Sequence, residues 1–205
     1  MRNIIVGLGL ALTLIGGPAL AIEQPKYQVE MKAEQIELRR YSPYVVAEVE
    51  VSGDQGQAVN QGFSKLAGYI FGGNTGRAKI AMTAPVAQTP KGEKIAMTAP
   101  VAQTPNGEGR WVVQFMMPSQ YRIEDLPRPN DPDVRFAVAP ARRMAVLTFS
   151  GVARGGNYAE RAGELHRWIA ARGLRARGEP VLAQFNPPWT PWFMRRNEVQ
   201  IEVAP

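Results

Sequence analysis

The chain contains no cysteine and a single histidine, His166, among its 205 residues. Without cysteine there are no disulfides, thiolate metal sites or cysteine nucleophile, so stability has to come from packing. One histidine rules out the paired imidazoles of most metal hydrolases, and no HExxH or Ser-His-Asp set is present. The glycines form no phosphate-binding loop, because Gly72-Gly73 follows a helical pattern instead of preceding one. No paired carboxylates stand out as general acid and base. Neither a catalytic residue nor a metal site is expected, and the sequence does not read as that of an enzyme.

Long apolar runs are also scarce. The one such run, from Ile4 to Ile15, follows Arg2 and precedes Gly16-Gly17-Pro18 and Ala19-Leu20-Ala21. A charged start, a short apolar stretch and a small-residue end make a signal peptide over residues 1–21, cleaved after Ala21. The run is shorter than the roughly 20 residues of a membrane span. Export to the periplasm or secretion is expected, with no stable membrane insertion after cleavage. Losing Arg2 takes 24 basic residues to 23 against 18 acidic ones, a charge of +5 on a mature chain, residues 22–205, sized for a single domain. That charge suits an anionic ligand. Arg167, Arg172, Arg175 and Arg177 form the densest cluster and flank a helix end, where cations suit the dipole. No nucleic-acid motif accompanies them, so no nucleic-acid partner is expected.

The segment KIAMTAPVAQTP occurs twice, at Lys79–Pro90 and Lys94–Pro105. Ile80, Met82 and Ala84, and again Ile95, Met97 and Ala99, occupy alternate positions, so both copies read as strands, with Met82 and Met97 as core fillers. Further strands are expected at Tyr27–Leu38, Tyr44–Val51, Trp111–Met117, Val134–Ala139, Arg143–Phe149, Val181–Phe185 and Glu198–Val203. Asp54 caps a first helix, in which Val59, Phe63, Leu66 and Ile70 make the apolar stripe and which ends at Gly72-Gly73. A second helix, Tyr158–Arg172, carries Tyr158, Ala162, Leu165 and Ile169 on its inner face and stops at Gly173. The pattern describes an α+β fold: two similar ββαββ halves, with an antiparallel sheet curled into a distorted barrel and two helices packed on it.

Four separated motifs, GFSKLAGYIFGGN, IAMTAPV, WVVQFMMP and NPPWTPWFMRRNEV, make the chain resemble the SOUL haem-binding protein family from about Tyr27 to Val203. The resemblance implies a carrier or buffer of haem or another tetrapyrrole, that is, of a small hydrophobic anionic ligand, held in an apolar cleft between the first helix and the loop before the last strand. On this sequence the cleft maps to Val59, Phe63, Ala67, Phe185, Trp189, Trp192 and Phe193, with Met194 and Arg195 beside them. Phe63 suits a core equally well. The histidine proposed as iron ligand in one branch of the family is replaced by Arg40, and the family's basic positions by Asn60, Gly68 and Thr190. Lys65, Arg195 and Arg196 remain as substitute cations. Among iron-ligand types, His166, Met194, Tyr41 and Tyr69 are the candidates. Arg195-Arg196 before Glu198 also reads as an ion-pair clamp at the entrance of the last strand. The two-half plan resembles GyrI-like small-molecule binding or sensing modules as well, in which Glu198 would be the cavity glutamate, and a structural envelope role is a third reading. The sequence does not address oligomeric state.

Overall fold

The computed structural model describes residues 23–76, 92–107, 109–153, 155–186 and 190–204. The expected signal peptide, the first KIAMTAPVAQTP copy with Met82, and Trp189 lie outside the described residues. Eleven strands and two helices follow in chain order: β1 Tyr27–Ala33, β2 Ile36–Tyr41, β3 Tyr44–Ser52, α1 Gln55–Ile70, β4 Asn74–Thr75, β5 Val101–Pro105, β6 Arg110–Met116, β7 Arg128–Pro129, β8 Arg135–Ala139, β9 Arg142–Phe149, α2 Gly155–Ala171, β10 Ala176–Gln184 and β11 Asn197–Val203. Nine of the strands form one antiparallel sheet in the order β1-β2-β9-β11-β10-β5-β6-β3-β8, and β4 and β7 make a small separate clip.

The order exposes a symmetry. The unit β3-α1-β5-β6 occupies one half of the sheet and β9-α2-β10-β11 the other, and they meet where β10 pairs with β5. Each unit also takes the strand that precedes the other: β8 pairs with β3, and β2 pairs with β9. Two ββαββ halves are thus correct in sequence, but their lead strands are exchanged in space. Helix α1 packs on β3 and β6, and α2 packs on β9, β10 and β11, all on one face.

The opposite face is the inside of a curl. Arg142 of β9 donates to the Tyr44 hydroxyl of β3 at 3.3 Å, although four strands separate β9 from β3 in the sheet order. The barrel expected from the sequence does not close: β1 pairs only with β2 and β8 only with β3, which leaves two edges. A curled open sheet gains most of the enclosed space of a barrel without the fixed stagger that closure demands.

Two expectations about local structure need correction. The stretch Tyr27–Leu38 is not one strand but a hairpin, turning at Glu34 with φ of 51°. In the second repeat copy only Val101–Pro105 enters the sheet. The preceding Lys94–Pro100 is irregular because its backbone donors go elsewhere: Ile95 N–H to the Ile70 carbonyl at the end of α1, and Ala99 N–H to the Glu23 carbonyl. The Thr98 hydroxyl caps the Met116 carbonyl. Ile95 and Ala99 are buried as their alternation suggests, but Met97 is 38% exposed and fills no core.

The helices follow their patterns closely. Asp54 accepts from the N–H groups of Gly56 and Gln57 at 2.8 and 2.9 Å, and Gln57 Oε1 accepts from Asp54 N–H, a reciprocal capping box. Gly62 lets α1 press against the sheet, since a Cβ there would meet the Val113 side chain at 2.5 Å. In α2, Ala162, Leu165 and Ile169 are buried, and Tyr158 reaches past them to donate to the Pro180 carbonyl at 2.5 Å.

Candidate functional site

Because Gly62 draws α1 down onto Val113, the helix flank next to it stands beside an opening instead of over the core. That opening is an open-mouthed cleft with about 150 Å³ of free space. Val59 and Phe63 of α1 form one wall, Val101 and Gln103 of β5 the floor, and Val152 and Ala153 the opposing side. Phe63 is fixed edge-on against Phe115 with ring centroids 5.4 Å apart. Among the described residues, carboxamides and Arg195 join the lining: Gln55, Asn60, Gln184, Asn186 and Asn197.

The cleft straddles the junction of the two halves. Gln55 at the start of α1 accepts at Oε1 from Gly155 N–H at the start of α2, at 3.1 Å, and its own carbonyl accepts from Gln103 Nε2 at 2.9 Å. These backbone partners fix both amide orientations and leave Gln55 Nε2 and Gln103 Oε1 buried without a partner. Asn197 donates to the Gly151 carbonyl at 3.0 Å and Arg195 Nε to the Thr190 carbonyl at 2.7 Å, holding the 151–153 and 190–195 loops at the rim. Nothing in a single sequence marks Gln103: it looks like an outward polar residue of a strand, yet it is 1% exposed.

Inside the curl, a second group of residues forms a charged lattice. Glu198 is 0% exposed and accepts from Arg39 Nη1 at 3.0 and 3.1 Å, Arg196 Nη2 at 2.6 Å and Gln200 Nε2 at 2.8 Å. Arg39 also donates to Glu37 at 2.8 Å and to the Tyr41 hydroxyl at 3.0 Å, and lies over the Tyr27 ring. Burial opposes charge on Arg39, but Glu198, Tyr41 and Glu37 together outweigh it and raise the guanidinium pKa. Burial, reinforced by Glu198, pushes the Tyr41 phenol above its usual range. The expected clamp of Arg196 on Glu198 is therefore part of a larger lattice that consumes both carboxylate oxygens.

Of the residues expected at the cleft, Val59, Phe63 and Arg195 line it. Ala67 does not: it is buried in the core with Leu66 and Ile70. Phe185 lies on the opposite face, under the Arg196 guanidinium at 4.1 Å. Trp192, Phe193 and Met194 form an exposed 3-10 turn, with Trp192 61% exposed; the turn leads into Arg195 but does not line the cleft. His166 is exposed on α2, whose buried face belongs to the other half. Lys65 spends its charge on Asp131 at 3.0 Å and Asp133 at 2.7 Å. Tyr69 is buried and donates to the Pro127 carbonyl. Among the described residues, no His, Met, Tyr or Lys lines the cleft, so these offer no usual axial ligand. Among the described residues, no cluster of three or more His, Asp or Glu side chains could hold a metal ion, and no helix is long and apolar enough to cross a membrane.

The same fold occurs in solved structures of low sequence similarity. The EcmrR C-terminal domain is 14% identical with a TM-score of 0.56, over 87% of this chain and 98% of that one. A hydrolase from Listeria innocua is 13% identical with a TM-score of 0.54, over 85% and 94%. In sequence, the chain is 27% identical to heme-binding protein 2 of Mus musculus over 202 residues, 91% of this chain and 93% of that protein. The model of the SOUL heme-binding protein family matches residues 22–202. The chain belongs to the SOUL haem-binding protein family.

Proposed function

We propose that this protein binds a tetrapyrrole such as haem in the cleft beside α1, and that it carries or buffers the ring without transforming it. The observation that supports this most directly is the lining itself. Val59, Phe63, Val101, Val152 and Ala153 offer apolar contact to a ring face, and Arg195 puts one positive charge at the rim for a propionate. The lining fits the organic ring and, among the described residues, supplies no iron ligand, so affinity resides in the macrocycle. Bound haem would keep its own iron chemistry, and this chain's residues would orient the ring and exclude water from one face. No acid–base pair lines the cleft among the described residues, which favours binding over catalysis.

Titration of the protein with haem and with metal-free protoporphyrin IX, followed by tryptophan quenching and absorbance, tests the reading. Saturable 1:1 binding of both within a few-fold of each other is expected, weakened at least tenfold by Phe63→Ala. Absence of saturation with either ring, or binding of haem alone, would overturn it.

The fold neighbours raise a second reading, a GyrI-like module for small molecules with Glu198 as a cation-seeking carboxylate. Against it, both oxygens of Glu198 are engaged by Arg39, Arg196 and Gln200, leaving no unmet negative charge. We further propose that the protein is exported, with cleavage after Ala21. The charged and apolar leader supports this, and the family match begins at residue 22. N-terminal sequencing of protein recovered from a periplasmic fraction should begin at Ile22; an intact Met1 there would contradict it.

A further inference from the structure

Among the described residues, the turn Trp192–Met194 is the one place where three large apolar side chains in succession stand exposed, at 61%, 61% and 65%. Other exposed apolar side chains, such as Phe71, Met97 and Val138, are isolated in sequence. A consecutive run is costly on a soluble surface unless something covers it. The backbone holds it out in this position. Met194 N–H donates to the Pro191 carbonyl at 2.9 Å, and Gly151 N–H donates to the Trp192 carbonyl at 3.0 Å. The second bond ties the turn to the other rim loop of the cleft, where Val152 is exposed as well. Trp192 and Phe193 stand edge-on to each other with ring centroids 5.7 Å apart. The result is an ordered apolar tip shared by both rim loops.

Size and charge decide what covers the tip. Whole side chains of this kind present about 150–250 Å², so the three expose on the order of 400 Å², about half of the roughly 800 Å² that each partner gives to a stable protein–protein interface. A bilayer surface needs no matching contour, and aromatic side chains on a projecting turn settle at the level of its headgroups. The flanks of the tip are of one sign. Arg195 and Arg196 follow it directly, and no acidic residue occurs in sequence between Asp133 and Glu160 or between Glu179 and Glu198, the stretches that carry the two rim loops. Glu198 itself is fully buried. We infer that this turn docks the protein on an anionic lipid bilayer, with Trp192, Phe193 and Met194 entering the headgroup boundary and the basic flanks meeting the lipid charge. Val152 and Arg195 line the cleft, so the cleft then opens beside the bilayer. On the tetrapyrrole reading, on which this last step rests, an apolar ring dissolved in the lipid has a short path into the protein.

Co-sedimentation with lipid vesicles tests the docking, using the chain from Ile22 onward so that the apolar leader plays no part; every strand and both helices lie between Tyr27 and Val203. No tetrapyrrole is added, so the outcome does not depend on the cleft. Binding to vesicles of phosphatidylglycerol and phosphatidylcholine in equal parts should exceed binding to phosphatidylcholine alone by roughly fivefold or more, and should fall at high salt. The combined variant Trp192→Ser, Phe193→Ser, Met194→Ser should bind the mixed vesicles roughly tenfold more weakly. Its urea midpoint should match the parent's, because all three side chains are exposed. Phe71→Ser, an exposed change at the far end of α1, should bind like the parent. The inference fails if the parent sediments with neither vesicle, if phosphatidylglycerol makes no difference, if the combined variant binds like the parent, or if Phe71→Ser loses as much. Absence of vesicle binding together with self-association that the combined variant abolishes would assign the tip to a protein contact instead. Failure of protoporphyrin IX to bind a parent that still sediments with vesicles would count against the cleft and leave the docking surface standing.

Discussion

The α1 half and the α2 half share one plan, yet the cleft at their junction takes its helical wall from α1. Both bury a leucine completely at mid-helix, Leu66 in α1 and Leu165 in α2, followed by an isoleucine, Ile70 and Ile169. They differ at the sheet contact. Helix α1 meets its strands through Ala58 and Gly62 and sits close, so the larger side chains Val59 and Phe63 are turned to its flank. Helix α2 reaches its strands through larger groups, with Tyr158 and Trp168 packed at the margins of its core, and that space is filled. A site has been made by removing bulk beneath one helix, without adding an element.

This comparison can be broken from several sides. The largest effect is expected where the halves share a support: Glu198→Ala leaves Arg39 buried beside Glu37 alone and should cost about 3–5 kcal/mol in urea unfolding. Loss of less than about 1 kcal/mol would show that the lattice is not structural. Next come Leu66→Ala and Leu165→Ala, each expected to cost about 2–5 kcal/mol and by similar amounts, if the halves are equal as scaffolds. Gly62→Ala should cost about 1–3 kcal/mol by forcing α1 off Val113, and should change tetrapyrrole affinity more than its stability loss explains. The smallest effect belongs to Lys65→Met, which removes an exposed pair with Asp131 and Asp133 and should cost under about 1 kcal/mol.

Alkaline pH probes both halves at once. Burial pushes the Tyr158 phenol up to about 12, and burial likewise raises Tyr69 above the usual phenol range. Each is neutral and donates to a proline carbonyl when folded, whereas the unfolded chain ionises its phenols near pH 10. Their stabilisation is complete below about pH 10 and should fall as pH rises toward 12, with the loss reduced in Tyr158→Phe. Stability that stays flat up to pH 12 would count against this account.

Local structure was largely legible. Asp54 announced the start of α1 and Leu66 and Ile70 its inner face, whereas Val59 and Phe63, read as part of the same stripe and as cleft residues only through the family resemblance, turn to the flank because Ala58 and Gly62 take the sheet side. What failed did so because the deciding partner is distant. Ile95-Ala96-Met97 alternates like a strand, but whether a strand forms depends on who takes its N–H groups, and Ile70 and Glu23 do. Gln103 and Gln55 are ordinary polar residues until the chain brings them together at the floor of the cleft. Phe185 and Arg196 look like members of the late aromatic loop, but strand alternation sends them into the curl, where Arg196 meets Glu198. The exchange of lead strands β2 and β8 leaves no trace in local pattern at all.

Hydrogen–deuterium exchange with and without protoporphyrin IX tests the central claim most directly. The account predicts protection confined to the first two turns of α1, to Val101–Gln103 and to the loop at Val152-Ala153, with α2 around His166 unchanged. Protection centred on α2 and His166, with the flank of α1 unaffected, would contradict it.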